Sequence, residues 1–353
     1  MHGGTIAIRA AAPLLVLLLV GLLPPALPTY AESGLAWWEK PFTSWDVEWF
    51  LSIAGGGYTT EQRLAFFPML PWLLRWLGLW GVILINCILR CVNLWLSTKL
   101  LGRLGVDGGK ELIFALTASP ITVFETAPYT ESLFATCSMI FILLWVKGEL
   151  YSVQILMTGL AGLTRNTTVF LAGYYLFTLL FNVPKGRRMI SLALLPVPIV
   201  QTLVPLKCRL STFYNRSVGV LESMQLYSAI QERYWNVGFG RYWKLKNLPR
   251  FLLASPWIYY SLHSLWMELQ RILKEDRFRP SPRLAVCLHN MALCILVVST
   301  ANVEILTRIL FSSTPWLYGY LSTQRKEDQL WKYLFVGYAS LGCLLFGCFL
   351  PWT

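Results

Sequence analysis

The chain has 353 residues, of which 56% are hydrophobic and only 14% charged, and its mean hydropathy is +0.53. A soluble domain of this length does not tolerate that balance, which makes this a polytopic membrane protein. The net charge of +12 is scattered in short clusters between apolar runs, as cytoplasmic-loop charge is, and this excludes nucleic acid as a partner.

In chain order, the first apolar run covers 6–27, with Arg9 near its start and Pro24, Pro25 and Pro28 near its end. No small-residue cleavage site closely follows, so the run is expected to be a signal anchor with a cytosolic N-terminus. The stretch 30–64 is acidic, carrying Glu32, Glu39, Asp46, Glu48 and Glu61 against Lys40 and Arg63. Basic loops follow at Lys99, Arg103 and Lys110, at Lys147, at Lys185, Arg187 and Arg188, at 271–283, and at Arg325 and Lys326. Basic loops face the cytosol, which puts the acidic stretch on the luminal side. Candidate spans lie near 67–98, 112–127, 132–146, 150–164, 168–183, 189–206, 251–268, 284–301, 306–322 and 329–350. Several fall short of the ~20 residues a full crossing needs, so some are expected to be re-entrant or tilted. The expected architecture is a single all-α domain over 1–353, a bundle of about ten or eleven transmembrane helices.

Seven of the eight cysteines lie in or beside apolar runs, Cys208 being the exception, and they are expected to be small core hydrophobes, neither ligands nor a disulfide frame. His2, His263 and His289 show no paired spacing, so no metal site is expected. Gly55-Gly56-Gly57 lacks the setting and the Lys of a nucleotide loop and is expected to be a turn.

With this topology, five separated segments deliver polar groups to the luminal face: Asp46 with Glu48, Glu125 with Glu131, Arg165 with Asn166, a long loop at 207–250, and the stretch 302–308. Charged groups at a membrane boundary are costly, and their convergence is what a boundary active site requires. Asp46 and Glu48 stand between Trp45, Trp49 and Phe50; in a helix their spacing sends them to nearly opposite faces, which favours one general base over an acid/base pair. The other reading is a solvated loop with its rings in the interfacial aromatic belt. The loop 207–250 carries Tyr234, Trp235 and Asn236, a mixture of rings and amide suited to a sugar, though such rings also serve as interfacial anchors. Two glycosylation sequons, at Asn166 and Asn215, fall on the same side, and Asn215 is the better acceptor because Asn166 abuts a span.

Several motifs together resemble the GPI mannosyltransferase 2 family (PIG-V type). They are Trp45-Asp46-Val47-Glu48-Trp49-Phe50 with Gly57-Tyr58, Ala65-Phe66-Phe67-Pro68, Ser119-Pro120, Pro128-Tyr129-Thr130-Glu131-Ser132, Leu163-Thr164-Arg165-Asn166, Tyr234-Trp235-Asn236-Val237-Gly238-Phe239, Asn302 through Arg308, and Ser312-Ser313-Thr314-Pro315. The resemblance implies a GT-C membrane glycosyltransferase of the endoplasmic reticulum. It implies a carboxylate in the first luminal loop, 30–66, as base, dolichyl-phosphate mannose as donor and a mannosylated GPI intermediate as acceptor, which receives its second, α-1,6-linked mannose. No cofactor is implied, and the resemblance leaves room for a small membrane partner subunit.

A polyprenyl phosphate leaving group carries one phosphoryl unit, so an arginine in a low-dielectric site can stabilise it without a divalent metal. Arg308 is the first candidate and Arg165 the second; either also fits a headgroup-snorkelling role. Among the luminal carboxylates Asp46 is expected to be the base, because Glu32 and Glu39 lack a motif setting and Glu125 and Glu131 sit at span ends. Glu48 and Glu131 are secondary acidic candidates. Trp45, Tyr129, Asn166, Tyr234, Trp235, Asn236 and Asn302 are candidates for sugar and acceptor contacts. The competing classes are a secondary transporter, which predicts mid-bilayer charges and repeated halves, and a non-catalytic lipid-binding subunit, which tolerates loss of Asp46.

Overall fold

Every regular element among the described residues is helical, as expected of a chain whose backbone groups must find partners without water. The computed structural model describes residues 12–13, 15–19, 36, 38–274, 280–324 and 328–350. In chain order the α-helices are α1 (Asp46–Gly56), α2 (Met69–Arg103), α3 (Gly109–Thr117), α4 (Thr122–Thr126), α5 (Glu131–Lys147), α6 (Tyr151–Gly162), α7 (Ala172–Phe181) and α8 (Arg188–Leu194). They continue with α9 (Val197–Phe213), α10 (Val220–Trp235), α11 (Leu248–Lys274), α12 (Pro282–Thr300), α13 (Leu306–Ser313), α14 (Trp316–Ser322) and α15 (Leu330–Gly347).

Four helices among the described residues are long and apolar enough to cross a membrane: α2, the α8–α9 pair taken as Arg188–Phe213, α12 and α15. Helix α11 is long enough to cross but not apolar enough, and the remaining expected spans are shorter or broken. The run 112–127 divides into α3 and α4 around Ser119-Pro120, and 306–322 divides into α13 and α14 at Thr314-Pro315. A proline has no N–H to continue a ladder and pushes the preceding residue out of helical geometry, so apolarity alone overstated these runs. Most of the expected anchor 6–27, together with Glu32, Arg325 and Lys326, lies outside the described residues.

The loop expected over 207–250 is largely helical. Helix α9 runs on to Phe213, and α10 occupies Val220–Trp235, its N-terminus closed by a hydrogen bond from Gly219 N–H to the Glu222 carboxylate. Ile230 of α10 is buried in a small core with Leu64, Leu206, Leu210 and Val218, so an amphipathic helix hides in a sequence whose charge resembles a loop.

At the centre stands α5, which is apolar on nearly all sides and buried around most of its circumference, against α2, α6 and α13. Helix α2 breaks at Gly78, whose φ of 69° is open to glycine, and its remainder presents a polar stripe to the interior. Asn86, Arg90, Asn93 and Ser97 recur at helical spacing and are all buried. Asn86 donates to the Ala127 carbonyl at 2.6 Å, Arg90 to the Thr117 carbonyl at 3.0 Å, and Asn93 to the Ser132 carbonyl at 2.9 Å. Helix α4 and the irregular backbone on either side of it, 118–130, are buried against this stripe, which supplies donors to carbonyls within the segment, at Ala127 and Tyr129, and at its two ends, Thr117 and Ser132. Arg90 is itself neutralised by Glu125 at 3.4 Å. That irregular segment carries Tyr129 and leads into Glu131.

Candidate active site

Helix α1 begins at Asp46, after Trp45 in a φ of 62° and ψ of −126° that a bulky residue rarely adopts, at a cost of about 1–3 kcal/mol. Tertiary contacts hold that turn: the Trp45 ring stacks on Phe349 at 4.9 Å and 15°. The Asp46 N–H, one of the orphan donors at a helix start, donates to the Tyr129 hydroxyl at 3.2 Å. Burial, and then the nearby Asp46 carboxylate, push the Tyr129 phenol well above its ordinary value, so it remains a neutral hydroxyl.

Arg308 in the first turn of α13 joins this backbone turn to the core. Its Nη1 meets Asp46 Oδ2 at 3.1 Å and its Nε meets Glu131 Oε1 at 2.6 Å. The guanidinium lies over the rings of Phe124 and Tyr129, at 4.6 and 4.7 Å from their centroids. Arg165 reaches the same Glu131 oxygen at 2.5 Å through Nη2, donates from Nε to Thr130 Oγ1 at 2.8 Å, and donates from Nη1 to Ser312 Oγ at 2.9 Å. Glu131 is fully enclosed, whereas about a third of the Asp46 side chain is exposed. Two carboxylates and two arginines, from four separated segments, thus form one balanced cluster with one open edge.

The other sequence candidates divide around this cluster. Asn302 precedes the turn into α13, and its Oδ1 is buried with no hydrogen-bond partner among the described residues, as are Glu131 Oε2 and Thr307 Oγ1. Glu48 shares the first turn of α1 with Asp46. Asn166 is exposed, with its amide 3.5 Å from the Tyr227 hydroxyl. Trp235 packs edge-on against Phe66 at 5.7 Å, and Phe66 contacts Phe50, which in turn meets Tyr129. Trp235 is therefore joined to the charged cluster through other rings. Asn236 ends α10 in the left-handed region, with φ 54°.

Tyr234 is drawn into a separate tether that the sequence reading passed over. Its hydroxyl donates to Glu61 at 3.1 Å, alongside the Tyr214 hydroxyl at 2.9 Å and Arg233 at 2.7 Å. The Tyr214 bond first, then those of Tyr234 and Arg233, hold the Glu61 carboxyl below its usual value against an opposing contribution from burial. A depressed carboxyl contributes stability above its unfolded pKa of ~4.3 and loses it as pH falls through the folded value. Glu61→Gln is expected to make α10 more sensitive to limited proteolysis at neutral pH, and its difference from the parent should shrink in acid. Equal protection at neutral pH would mean that α10 is held by apolar packing alone.

Arg90 is the other residue missed, although an arginine inside an apolar run is a signal in its own right.

This helical bundle is similar to the structure of ArnT from Cupriavidus metallidurans bound to undecaprenyl phosphate, with a TM-score of 0.56 at 16% identity, over 94% of this chain and 62% of that one. At that identity the likeness is one of fold. Residues 204–353 match the family model described as Mannosyltransferase (PIG-V). GPI mannosyltransferase 2 of Schizosaccharomyces pombe is 32% identical over 60% of this chain, and the match takes in half of that protein's length. GPI alpha-1,6-mannosyltransferase 2 of Homo sapiens is 29% identical over 78% of this chain and 71% of its own, and GPI mannosyltransferase 2 of Drosophila melanogaster is 26% identical over 93% and 92%. The likeness to the PIG-V mannosyltransferases thus covers 204–353 by the family model and most of the chain by its relatives.

Proposed function

We propose that this chain transfers mannose from dolichyl-phosphate mannose to a GPI-anchor precursor, adding the second mannose in α-1,6 linkage with inversion. The names of its relatives support the reaction, and the cluster of Asp46, Glu131, Arg165 and Arg308 is the observation that carries the site. The acceptor hydroxyl is a poor nucleophile near neutral pH and needs a carboxylate to take its proton as the new bond forms. Asp46 has that role, since it is the partly exposed carboxylate of the cluster. Arg308 holds the donor phosphate: its Nη2 has no hydrogen-bond partner among the described residues, and its planar fork suits a phosphoryl group.

Arg165, with its three nitrogens engaged, fixes Glu131 and through it Arg308. Buried polar atoms call for partners, and sugar hydroxyls would satisfy Asn302 Oδ1 and Thr307 Oγ1. No metal or cofactor takes part in this scheme. The acidic first loop and basic intervening loops support a site on the luminal side of the endoplasmic reticulum membrane.

The test is expression in cells lacking the second GPI mannose, paired with transfer from labelled dolichyl-phosphate mannose in isolated membranes. Surface GPI proteins should return, and label should appear on the singly mannosylated precursor. Well-inserted protein that restores neither would overturn the assignment.

A further inference from the structure

We infer that Asp46 and the donor phosphate are rivals for Arg308, so that donor binding releases the base. The inference rests on the roles proposed above for these two residues, and it concerns the order in which the substrates engage. Arg308 is fixed on two sides, by its 2.6 Å bond to the enclosed Glu131 and by the rings of Phe124 and Tyr129. Only its outer edge can change partners. Asp46 holds that edge through one longer contact of 3.1 Å and is the more exposed of the two carboxylates. It is therefore the ligand that lets go.

Charge balance leads to the same exchange. The cluster holds two carboxylates and two guanidiniums, so a phosphodiester entering beside Asp46 adds an anion where none is called for. A phosphate that takes Arg308 Nη1 together with the neighbouring Nη2 leaves Asp46 unpaired at the open edge, where an acceptor hydroxyl can reach it. In the transfer step the acceptor oxygen bonds to the mannose anomeric carbon and the carbon–oxygen bond to phosphate breaks. The bonding pair leaves on the phosphate oxygen, and the acceptor proton goes to Asp46. Asp46 loses its charge as the dolichyl phosphate gains one, so Arg308 stays opposite a full charge throughout. An acceptor that arrives first meets a base already engaged by Arg308.

The test measures binding of dolichyl phosphate, the donor without its sugar, to purified protein in nanodiscs. Asp46→Asn should bind it about tenfold more tightly than the parent, because a competing anion has been removed. Asp46→Ala should show a similar gain, which guards against a local effect of the amide. Arg308→Gln should bind more weakly than the parent, and the gain should vanish in the Asp46→Asn/Arg308→Gln double variant. If Asp46→Asn binds no better than the parent while Arg308→Gln binds worse, the rivalry is refuted and Arg308 remains the phosphate ligand. If Arg308→Gln binds as the parent does, the phosphate role of Arg308 fails, and the rivalry fails with it.

Discussion

Asp46→Asn is expected to lower mannosyl transfer by the ~10²–10⁴-fold typical of a lost general base while the protein stays folded and inserted. The amide keeps the size of the side chain and an oxygen that can still accept from Arg308 Nη1, so the cluster retains its shape. What it cannot do is take the acceptor proton. Glu48→Gln should cost much less, because the ion pairs to Arg308 come from Asp46 and Glu131. Steady-state turnover in nanodiscs decides the matter. Near-parental turnover by Asp46→Asn, or abolition by Glu48→Gln, would move the base elsewhere.

Glu131→Gln should have a different signature, lowering stability and turnover together. Glu131 is enclosed, and one of its oxygens accepts from both Arg165 and Arg308. Removing its charge leaves two partly buried guanidiniums short of compensation, and breaking such a buried pairing costs about 3–5 kcal/mol. Thermal unfolding of the detergent-solubilised variant should register that loss, and turnover should fall because Arg308 is no longer held in place. Were unfolding unchanged and only the acceptor KM raised, Glu131 would be a sugar ligand and its ion pairs would carry little of the fold.

The individual members of the cluster were legible in the sequence, because Asp46, Glu131, Arg165 and Arg308 each stand in a motif on the expected luminal side. Their pairing was not, since it joins residues that no local period relates. The polar stripe of α2 was there to be read: Asn86, Arg90, Asn93 and Ser97 fall on one helical face within an apolar run. A search for separate spans passes over such a stripe, because a few polar residues barely lower a long window's hydropathy. Helix α10 was missed for the opposite reason. Its apolar face, with Leu226, Tyr227 and Ile230, is narrow, and the charge around it suggested a loop. Tyr234 and Trp235 were consequently left open between sugar contacts and interfacial anchors, and their contacts with Glu61 and Phe66 were not foreseen.

The ion pair between Asp46 and Arg308 also bears on how the molecule is made. Its partners are 262 residues apart in the chain, and those of the Glu131–Arg308 pair are 177 apart. Arg165 lies only 35 residues beyond Thr130, so Glu131 can find a first partner early in synthesis. Asp46 has to wait until α13 has been inserted. Long-range contacts of this kind form late and slowly. On the roles proposed above, a nascent chain made as far as α12 carries the proton acceptor but has no Arg308 to receive a lipid phosphate. On the same roles, donor capture waits for α13, and the completeness of the bundle becomes a condition for chemistry.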